Sequence, residues 1–150
     1  MTENRSPERP RDGFTISTDP GRLDRPMIHE VLAATYWARG IPRAVVDRSI
    51  EGALCFGLYE NDRQVGFARV ITDRATFAYL ADVFVLESYR GRGLARWLME
   101  TILAHADLQG LRRWMLLTRD AHPLYRQVGF TELAHPERVM EKVNPKVYER

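Results

Sequence analysis

The sequence predicts an α+β fold in which helices flank a mixed, mostly antiparallel central sheet. Two observations predict it. Three strand-like stretches follow one another in the middle of the chain, and the short turns Asn61-Asp62 and Asp73-Arg74 separate them, which is typical of an antiparallel meander. Helical patterns precede this meander, and after it helices alternate with short strand-like stretches.

The elements before the meander have recognisable ends. Residues 14–17 are a candidate first strand. Asp24 is a candidate helix N-cap, the apolar residues after it follow helical spacing as far as Tyr36, and Gly40 is the expected end of that helix. Pro42 opens a second, shorter helix.

The remaining elements follow from the same signals of periodicity, turn residues and glycines. We expect strands over residues 53–59, 64–72 and 76–86, a helix over residues 94–106, a strand over residues 114–117, a helix between Asp120 and Gly129, and a final strand over residues 139–143.

The composition is that of an ordinary soluble globular protein, with 45% hydrophobic and 28% charged residues. We expect one domain over residues 14–150 and a flexible N-terminal tail over residues 1–13, which are charged and contain proline. This tail lacks the apolar centre of a signal peptide, and no apolar run approaches the ~18 residues of a membrane span. We therefore expect a cytoplasmic protein with no membrane partner.

Charge and cysteine content limit the possible partners and cofactors. The net charge of +2 is too small to indicate nucleic acid, and the chain has no basic stripe or aromatic stacking motif, so an Arg-rich nucleic-acid binder is the weakest alternative. Cys55 is the single cysteine, which excludes an intramolecular disulfide and a cysteine-rich zinc site. It lies in an apolar run and is expected in the core. The four histidines have no metal-ligand spacing, and no metal is expected.

The clearest functional signal is the run Arg90-Gly91-Arg92-Gly93-Leu94-Ala95 between a predicted strand and a predicted helix. The first N–H groups of a helix have no intrahelical partner and carry partial positive charge. The two glycines have no side chains, so a phosphate can approach the backbone closely. The arginines of the run, together with Arg96, add full positive charge. The expected ligand is therefore a phosphate or a pyrophosphate.

Two common nucleotide-binding patterns do not fit this run. A P-loop requires Lys followed by Ser or Thr after its last glycine, whereas Leu94 and Ala95 follow Gly93. A dinucleotide fingerprint requires glycine or alanine at the place of Arg96, and it normally opens the first βαβ unit. The alternative without a ligand is a tight strand-to-helix turn with capping glycines.

Two segments together resemble the GNAT superfamily of N-acetyltransferases. The first family motif is Gln or Arg, two residues, Gly, one residue, then Gly or Ala, and Arg90, Gly93 and Ala95 occupy these places. Further along the chain, Leu124-Tyr125-Arg126-Gln127-Val128-Gly129-Phe130 resembles the second family segment, Leu-Tyr-x-x-x-Gly-Phe. The order of the elements is also similar over residues 14–143.

The resemblance implies acetyl-coenzyme A (acetyl-CoA) as cosubstrate. The loop would hold its pyrophosphate, and its pantetheine arm would pair with the main chain of the preceding strand in the manner of an added strand. The cofactor-binding residues implied in this way are Val83, Phe84, Val85, Arg90, Gly91, Arg92, Gly93, Leu94 and Ala95.

The resemblance also implies catalytic roles. Tyr125 would donate a proton to the departing thiolate, and a main-chain N–H near residues 83–85 would stabilise the oxyanion. Some relatives carry a glutamate base where Tyr79 stands here. Asp82 is a candidate base on the same strand, although regular alternation puts it on the face opposite Tyr79. The alternatives are a structural role for Asp82 and deprotonation of the amine through ordered water.

By resemblance, the acceptor site is lined by the connection between the first two helices and by the central strands, which implies Tyr36, Trp37 and Tyr79. If Trp37 and Arg39 face the cleft, an acceptor with an apolar part and a carboxylate would suit them. We expect direct acetyl transfer to a primary amine of a small molecule or peptide, and a homodimer is compatible with this function. The alternative is a non-catalytic acetyl-CoA-binding sensor or interaction module of the same fold.

Overall fold

The structure is a computed structural model that describes residues 11–149. Its centre is a five-stranded sheet in the order β1-β2-β3-β4-β5. Neighbouring strands are antiparallel from β1 to β4, and β4 and β5 are parallel, so the predicted α+β class with a mixed, mostly antiparallel sheet is confirmed. The elements are β1 (Phe14–Ser17), α1 (Arg25–Ala33), α2 (Arg43–Glu51), β2 (Leu54–Glu60), β3 (Arg63–Thr72), β4 (Phe77–Val85), α3 (Leu94–Leu103), β5 (Arg113–Leu116) and α4 (His122–Gln127).

Apolar cores lie on the two faces of the sheet. On one face, which we call the α3 face, α3 and α4 pack through side chains such as Leu98 and Tyr125. On the other, the α1–α2 face, Ile28 and Val46 are fully buried, and Cys55 lies in the same cluster as expected. Alternation along each strand sends successive side chains to the two cores.

Local side-chain bonds explain where several elements begin and turn. Asp24 caps α1 as predicted, because its carboxylate accepts a hydrogen bond from the N–H of Met27 at 3.1 Å. Asn61 makes the β2–β3 turn with a left-handed φ of 53°. Asp73 makes the β3–β4 turn by accepting main-chain hydrogen bonds from residues 75, 76 and 77.

Three predictions about elements are wrong, and one falls mostly outside the described residues. The helix expected over residues 94–106 ends at Leu103, because His105 has an extended backbone that interrupts it. The first helix ends at Ala33 and does not reach Tyr36, because the hydroxyl of Thr35 bonds to the carbonyl of Leu32 and forms a turn. Residues 139–143 form no strand, and Met140 is 94% exposed, because no sheet edge pairs with this segment. The predicted tail over residues 1–13 lies, up to residue 10, outside the described part of the chain.

Candidate functional site

The loop between β4 and α3 presents a group of main-chain N–H donors. Gly91 and Gly93 adopt left-handed φ angles of 79° and 75°, which only glycine adopts without strain. Among residues 11–149, the N–H groups of residues 91–95 find no hydrogen-bond acceptor. A Cβ added at Gly91 would meet no atom within 4 Å, and one at Gly93 would meet only a guanidinium nitrogen of Arg11 at 3.9 Å. The loop therefore leaves room for an anion beside these N–H groups, and the phosphate site expected from the sequence stays a prediction.

The arginines of the loop are held in different ways. Arg90 donates its Nε to the carbonyl oxygen of Val85 at 2.9 Å, which ties the loop to the end of β4. The guanidinium of Arg92 lies 5.2 Å from the ring centre of Tyr89 and stays at the surface. Arg90 therefore shapes the loop, whereas Arg92 is the better placed to contribute charge to a bound phosphate.

Arg11 is a basic residue of this loop region that sequence reasoning missed. Its guanidinium carbon lies 5.5 Å from the ring centre of Trp97 on α3, beside Gly93. A main-chain bridge between Arg11 and Phe14 fixes the direction of the chain before β1. No local signal marks this residue, because its position depends on packing against a helix more than eighty residues away.

Strand β4 has an open edge next to this loop. Its pairing with β5 runs from Phe77 opposite Arg113 to Leu80 opposite Leu116, where β5 ends. From there β4 continues to Val85, and in the described part of the chain no strand pairs with this stretch on the β5 side. The predicted residues Val83, Phe84 and Val85 lie on this stretch. An extended ligand can add there as a strand and continue toward the loop.

A β-bulge interrupts the other edge of the same stretch. Ala81 pairs with Arg69 and Phe84 pairs with Phe67, so two residues of β4, Asp82 and Val83, stand opposite one residue of β3. Asp82 has a left-handed φ of 57°, which aspartate tolerates better than most residues.

The bulge overturns the expected alternation between Tyr79 and Asp82. Tyr79 and Ala81 share a face, Arg69 pairs with Ala81 on that face, and the carboxylate of Asp82 bonds to Arg69. Burial and then the negative charge of Asp82 raise the pKa of Tyr79. The expectation that Asp82 lies on the face opposite Tyr79 is therefore wrong. The extra residue of the bulge interrupts the regular alternation of side chains between the two faces of the strand.

Both carboxylate oxygens of Asp82 accept hydrogen bonds. Its Oδ2 accepts from Nε of Arg69 at 2.8 Å, and its Oδ1 accepts from Nε1 of Trp37 at 2.9 Å. The side chain is only 8% exposed. The structure thus brings Trp37, Tyr79 and Asp82 together, and it gives Asp82 a clear role in holding Trp37 against the sheet.

Tyr36 joins this cluster to the loop between β5 and α4. Its ring packs edge-on against Trp37 with ring centres 5.0 Å apart. Its hydroxyl accepts a hydrogen bond from the main-chain N–H of Arg119 at 2.9 Å, and the guanidinium carbon of Arg119 lies 3.8 Å from its ring centre. The connection between α1 and α2 is therefore fastened to the β5–α4 loop.

Tyr125 lies in α4 beside a cleft between β5 and α4. The side chain is buried against Phe130, with ring centres 5.9 Å apart. Burial first, and then the nearby Tyr36 and Asp120, raise the pKa of Tyr125 to about 12. The hydroxyl therefore stays protonated near neutral pH and can donate a hydrogen bond. The cleft has a volume of about 280 Å³, and its lining includes Trp114, Leu116, Thr118, Tyr125 and Phe130.

Metal ligands and membrane helices are not found in the part of the chain that the structure describes. Within residues 11–149, no group of three or more His, Cys, Asp or Glu side chains is placed to hold a metal ion. Over the same residues, no helix has the length and apolar character needed to cross a membrane.

Comparison with known proteins gives consistent matches. The family model for the acetyltransferase (GNAT) domain matches residues 51–132. A candidate acetyltransferase from Gibberella zeae is 36% identical, and the match covers 77% of each chain. The crystal structure of a candidate GNAT-family acetyltransferase from Xanthomonas campestris pv. campestris is 51% identical, with a TM-score of 0.89 over 94% of this chain and 99% of that one. A GNAT-family acetyltransferase from Elizabethkingia anophelis with acetyl-CoA bound shares the fold, at 14% identity and a TM-score of 0.63 over 81% of this chain and 78% of that one.

Proposed function

Because the chain belongs to the GNAT family of acetyltransferases, we propose that it is an acetyl-CoA-dependent N-acetyltransferase that transfers the acetyl group directly to a primary amine. One observation carries this proposal. The open edge of β4 leads into the loop at residues 91–95, whose N–H groups have no acceptor among residues 11–149. A ligand with amides along an arm and a pyrophosphate at its end matches both features, and acetyl-CoA is such a ligand.

The loop and the strand edge would divide the recognition of acetyl-CoA between them. The N–H groups of residues 91–95 bind the pyrophosphate, with added charge from Arg92 and Arg11. The main chain of residues 83–85 pairs with the amides of the pantetheine arm. Arg90 contributes by fixing the loop to Val85. Hydrogen bonds to a charged group are worth about 1.5–3 kcal/mol each, so a few of them suffice for firm binding of the phosphates.

The main chain of β4 beside the bulge and the hydroxyl of Tyr125 would stabilise the charges that develop during acetyl transfer. The neutral amine attacks the thioester carbon, a main-chain N–H near residues 83–85 stabilises the oxyanion, and the carbon–sulfur bond then breaks. The hydroxyl of Tyr125 donates a hydrogen bond to the departing thiolate. Since its pKa of about 12 lies above that of a thiol, full proton transfer is unfavourable and the hydrogen bond itself does the stabilising.

We assign Asp82 a positioning role in this reaction, because both of its oxygens already accept hydrogen bonds. The proton of the attacking amine then leaves through water to the solvent. We also propose that the protein acts in the cytoplasm and that its acceptor is a small-molecule or peptide amine. The free cysteine, Cys55, fits a reducing compartment.

A non-catalytic acetyl-CoA-binding module is the second candidate. The observation that favours it is that the described part of the chain shows no evident base at the site. Tyr79 stands where some relatives carry glutamate, and Asp82 is engaged by Arg69 and Trp37. The exposed aromatic wall of Tyr36 and Trp37 favours the enzyme, because a module that binds only acetyl-CoA does not need an acceptor site.

The test is release of free thiol from acetyl-CoA in the presence of a panel of amines, with mass spectrometry of the acetylated products. The enzyme proposal predicts thiol release that depends on the amine and equals the product formed. Calorimetric titration with acetyl-CoA measures binding separately. Binding without turnover on every amine, unchanged in Tyr125→Phe, would overturn the enzyme proposal in favour of the binding module.

A further inference from the structure

The rim of the cleft beside Tyr125 carries an arginine that the reaction proposed above does not use. Arg119 is held twice by one residue: its guanidinium stacks on the ring of Tyr36, and its main-chain N–H donates to the hydroxyl of Tyr36. A stacked guanidinium is fixed in orientation before any ligand binds. Arg119 is therefore better ordered than an arginine free in solvent.

The stacking leaves the N–H edge of this guanidinium available. Stacking uses the face of the group, whereas its five N–H donors point outward in the plane. In the described part of the chain, its acidic partner is Asp120, at 3.9 Å between two side chains that are 65% and 68% exposed. Such a contact contributes little. A fixed guanidinium with an open edge matches the two oxygens of a carboxylate.

Arg119 stands on the acceptor side of the site. Tyr36 below it packs against Trp37, which bonds to Asp82 on the bulge of β4. Tyr36 also lies near enough to Tyr125 to raise the pKa of that tyrosine. Tyr36 and Trp37 are 40% and 44% exposed as residues, and their rings form an apolar surface between Arg119 and the bulge.

We propose that Arg119 binds a carboxylate of the amine acceptor, so that the substrates are amines that also carry a carboxylate, with amino acids as the simplest class. This inference rests on the proposed function. The carboxylate accepts two hydrogen bonds from the guanidinium of Arg119, the apolar part of the acceptor lies on Trp37, and the amine is directed toward the thioester at the bulge.

The test compares acceptors that differ only in the carboxylate, such as an amino acid and its amide, in wild type and in Arg119→Gln. Loss of a bidentate charged hydrogen bond of about 1.5–3 kcal/mol lowers kcat/KM for the amino acid roughly 10- to 100-fold. The value for the amide stays within about twofold, and the KM for acetyl-CoA does not change. Arg119→Lys, which keeps the charge but loses the fork, is intermediate.

Arg48→Gln is the matched control, because Arg48 is an exposed arginine on α2. It should leave both acceptors unaffected. Equal losses on the amino acid and the amide in Arg119→Gln, or a raised KM for acetyl-CoA that would indicate a contact with the coenzyme phosphates, would overturn the inference. If the wild-type protein acetylates only amines that carry no carboxylate, the inference is also overturned, while the proposed function stays intact. Absence of transfer to any amine, with acetyl-CoA binding retained, would overturn both.

Discussion

The indole Nε1 of Trp37 donates a hydrogen bond of 2.9 Å to Oδ1 of Asp82. This bond connects the segment between α1 and α2 to the bulge of β4, and Arg69 holds the second oxygen of the same carboxylate at 2.8 Å. The wall of the candidate acceptor site and the strand that would hold the acetyl group are therefore fixed to each other. An acidic residue in this position can orient the acceptor without touching the amine.

Asp82→Asn should reduce acetyl transfer moderately and leave its pH profile unchanged. Asparagine tolerates the left-handed backbone and can still accept from Trp37, but it does not form an ion pair with Arg69. We expect kcat/KM for the amine to fall roughly tenfold through poorer orientation. Steady-state rates between pH 6 and 10 measure this. A loss of 10²-fold or more, together with loss of the acidic limb of the profile, would identify Asp82 as the base.

Arg69→Gln is the matched control for that variant. It removes the other partner of the same ion pair and keeps the carboxylate of Asp82. If Asp82 acts by positioning, the two variants should lower kcat/KM by similar factors. If Asp82 is the base, Asp82→Asn should lower kcat/KM far more than Arg69→Gln does.

Tyr125→Phe should lower kcat and leave the KM for acetyl-CoA nearly unchanged. The hydroxyl acts on the thiolate that forms during the reaction, so its loss is felt in the transition state. We expect a loss of roughly 10- to 100-fold, at or below the lower end of the usual range for a general acid, because a thiolate is already a good leaving group. Initial rates at saturating acetyl-CoA measure it.

The pH dependence provides an independent check on Tyr125. Since burial raises its pKa to about 12, the hydroxyl remains protonated up to about pH 10. The wild-type rate should therefore rise with pH as the amine loses its proton and show no decline due to Tyr125 below that value. A decline near pH 8–9 that disappears in Tyr125→Phe would contradict this assignment.

Features that depend on local backbone chemistry were predictable from the sequence. Gly91 and Gly93 adopt the left-handed angles that only glycine tolerates well, so their spacing before a helical pattern predicted the tight turn between β4 and α3. Asp24 caps α1 through a bond to a residue three positions along the chain. In each case the interacting groups are close in sequence, and residue type and spacing carry the information.

Features that depend on contacts between distant segments were not predictable. The period of two along β4 gives no sign that Asp82 adopts a left-handed φ and forms a bulge with its neighbour. Its partner Trp37 is 45 residues away. For residues 139–143 the sequence predicted a strand that the structure does not contain. Strand propensity alone does not form a strand when no sheet edge is available for pairing.

Gly93→Glu should abolish binding of acetyl-CoA. Glutamate places negative charge beside N–H groups that would hold a pyrophosphate, and the left-handed φ of 75° strains any residue with a Cβ. Gly110→Glu is a matched control, because Gly110 has the same φ of 75° and no neighbouring atom within 4 Å of an added Cβ. Both variants should lose about 1 kcal/mol of stability. Calorimetric titration should show that only Gly93→Glu loses affinity, and retained micromolar binding would contradict the placement of the phosphate.

The thiol of Cys55 should be unreactive in the folded protein and should make stability fall at high pH. Cys55 is buried on the α1–α2 face, and burial raises the pKa of its thiol from 9.0 to about 12. A raised pKa favours the protonated form on folding, so this contribution is complete below about pH 9. It is lost as the pH rises toward 12, and a shift of this size corresponds to at most about 4 kcal/mol.

Urea unfolding of wild type and Cys55→Ala at pH 8 and pH 10.5 measures this dependence. Between these two values the free energy of unfolding should fall by about 2 kcal/mol more in wild type than in the variant, since each pH unit above 9 contributes about 1.4 kcal/mol. Tyr125 is present in both proteins, so its own titration above pH 10 cancels in the comparison. A thiol reagent that labels Cys55 in native protein at pH 8 as fast as in urea would contradict the buried, protonated thiol.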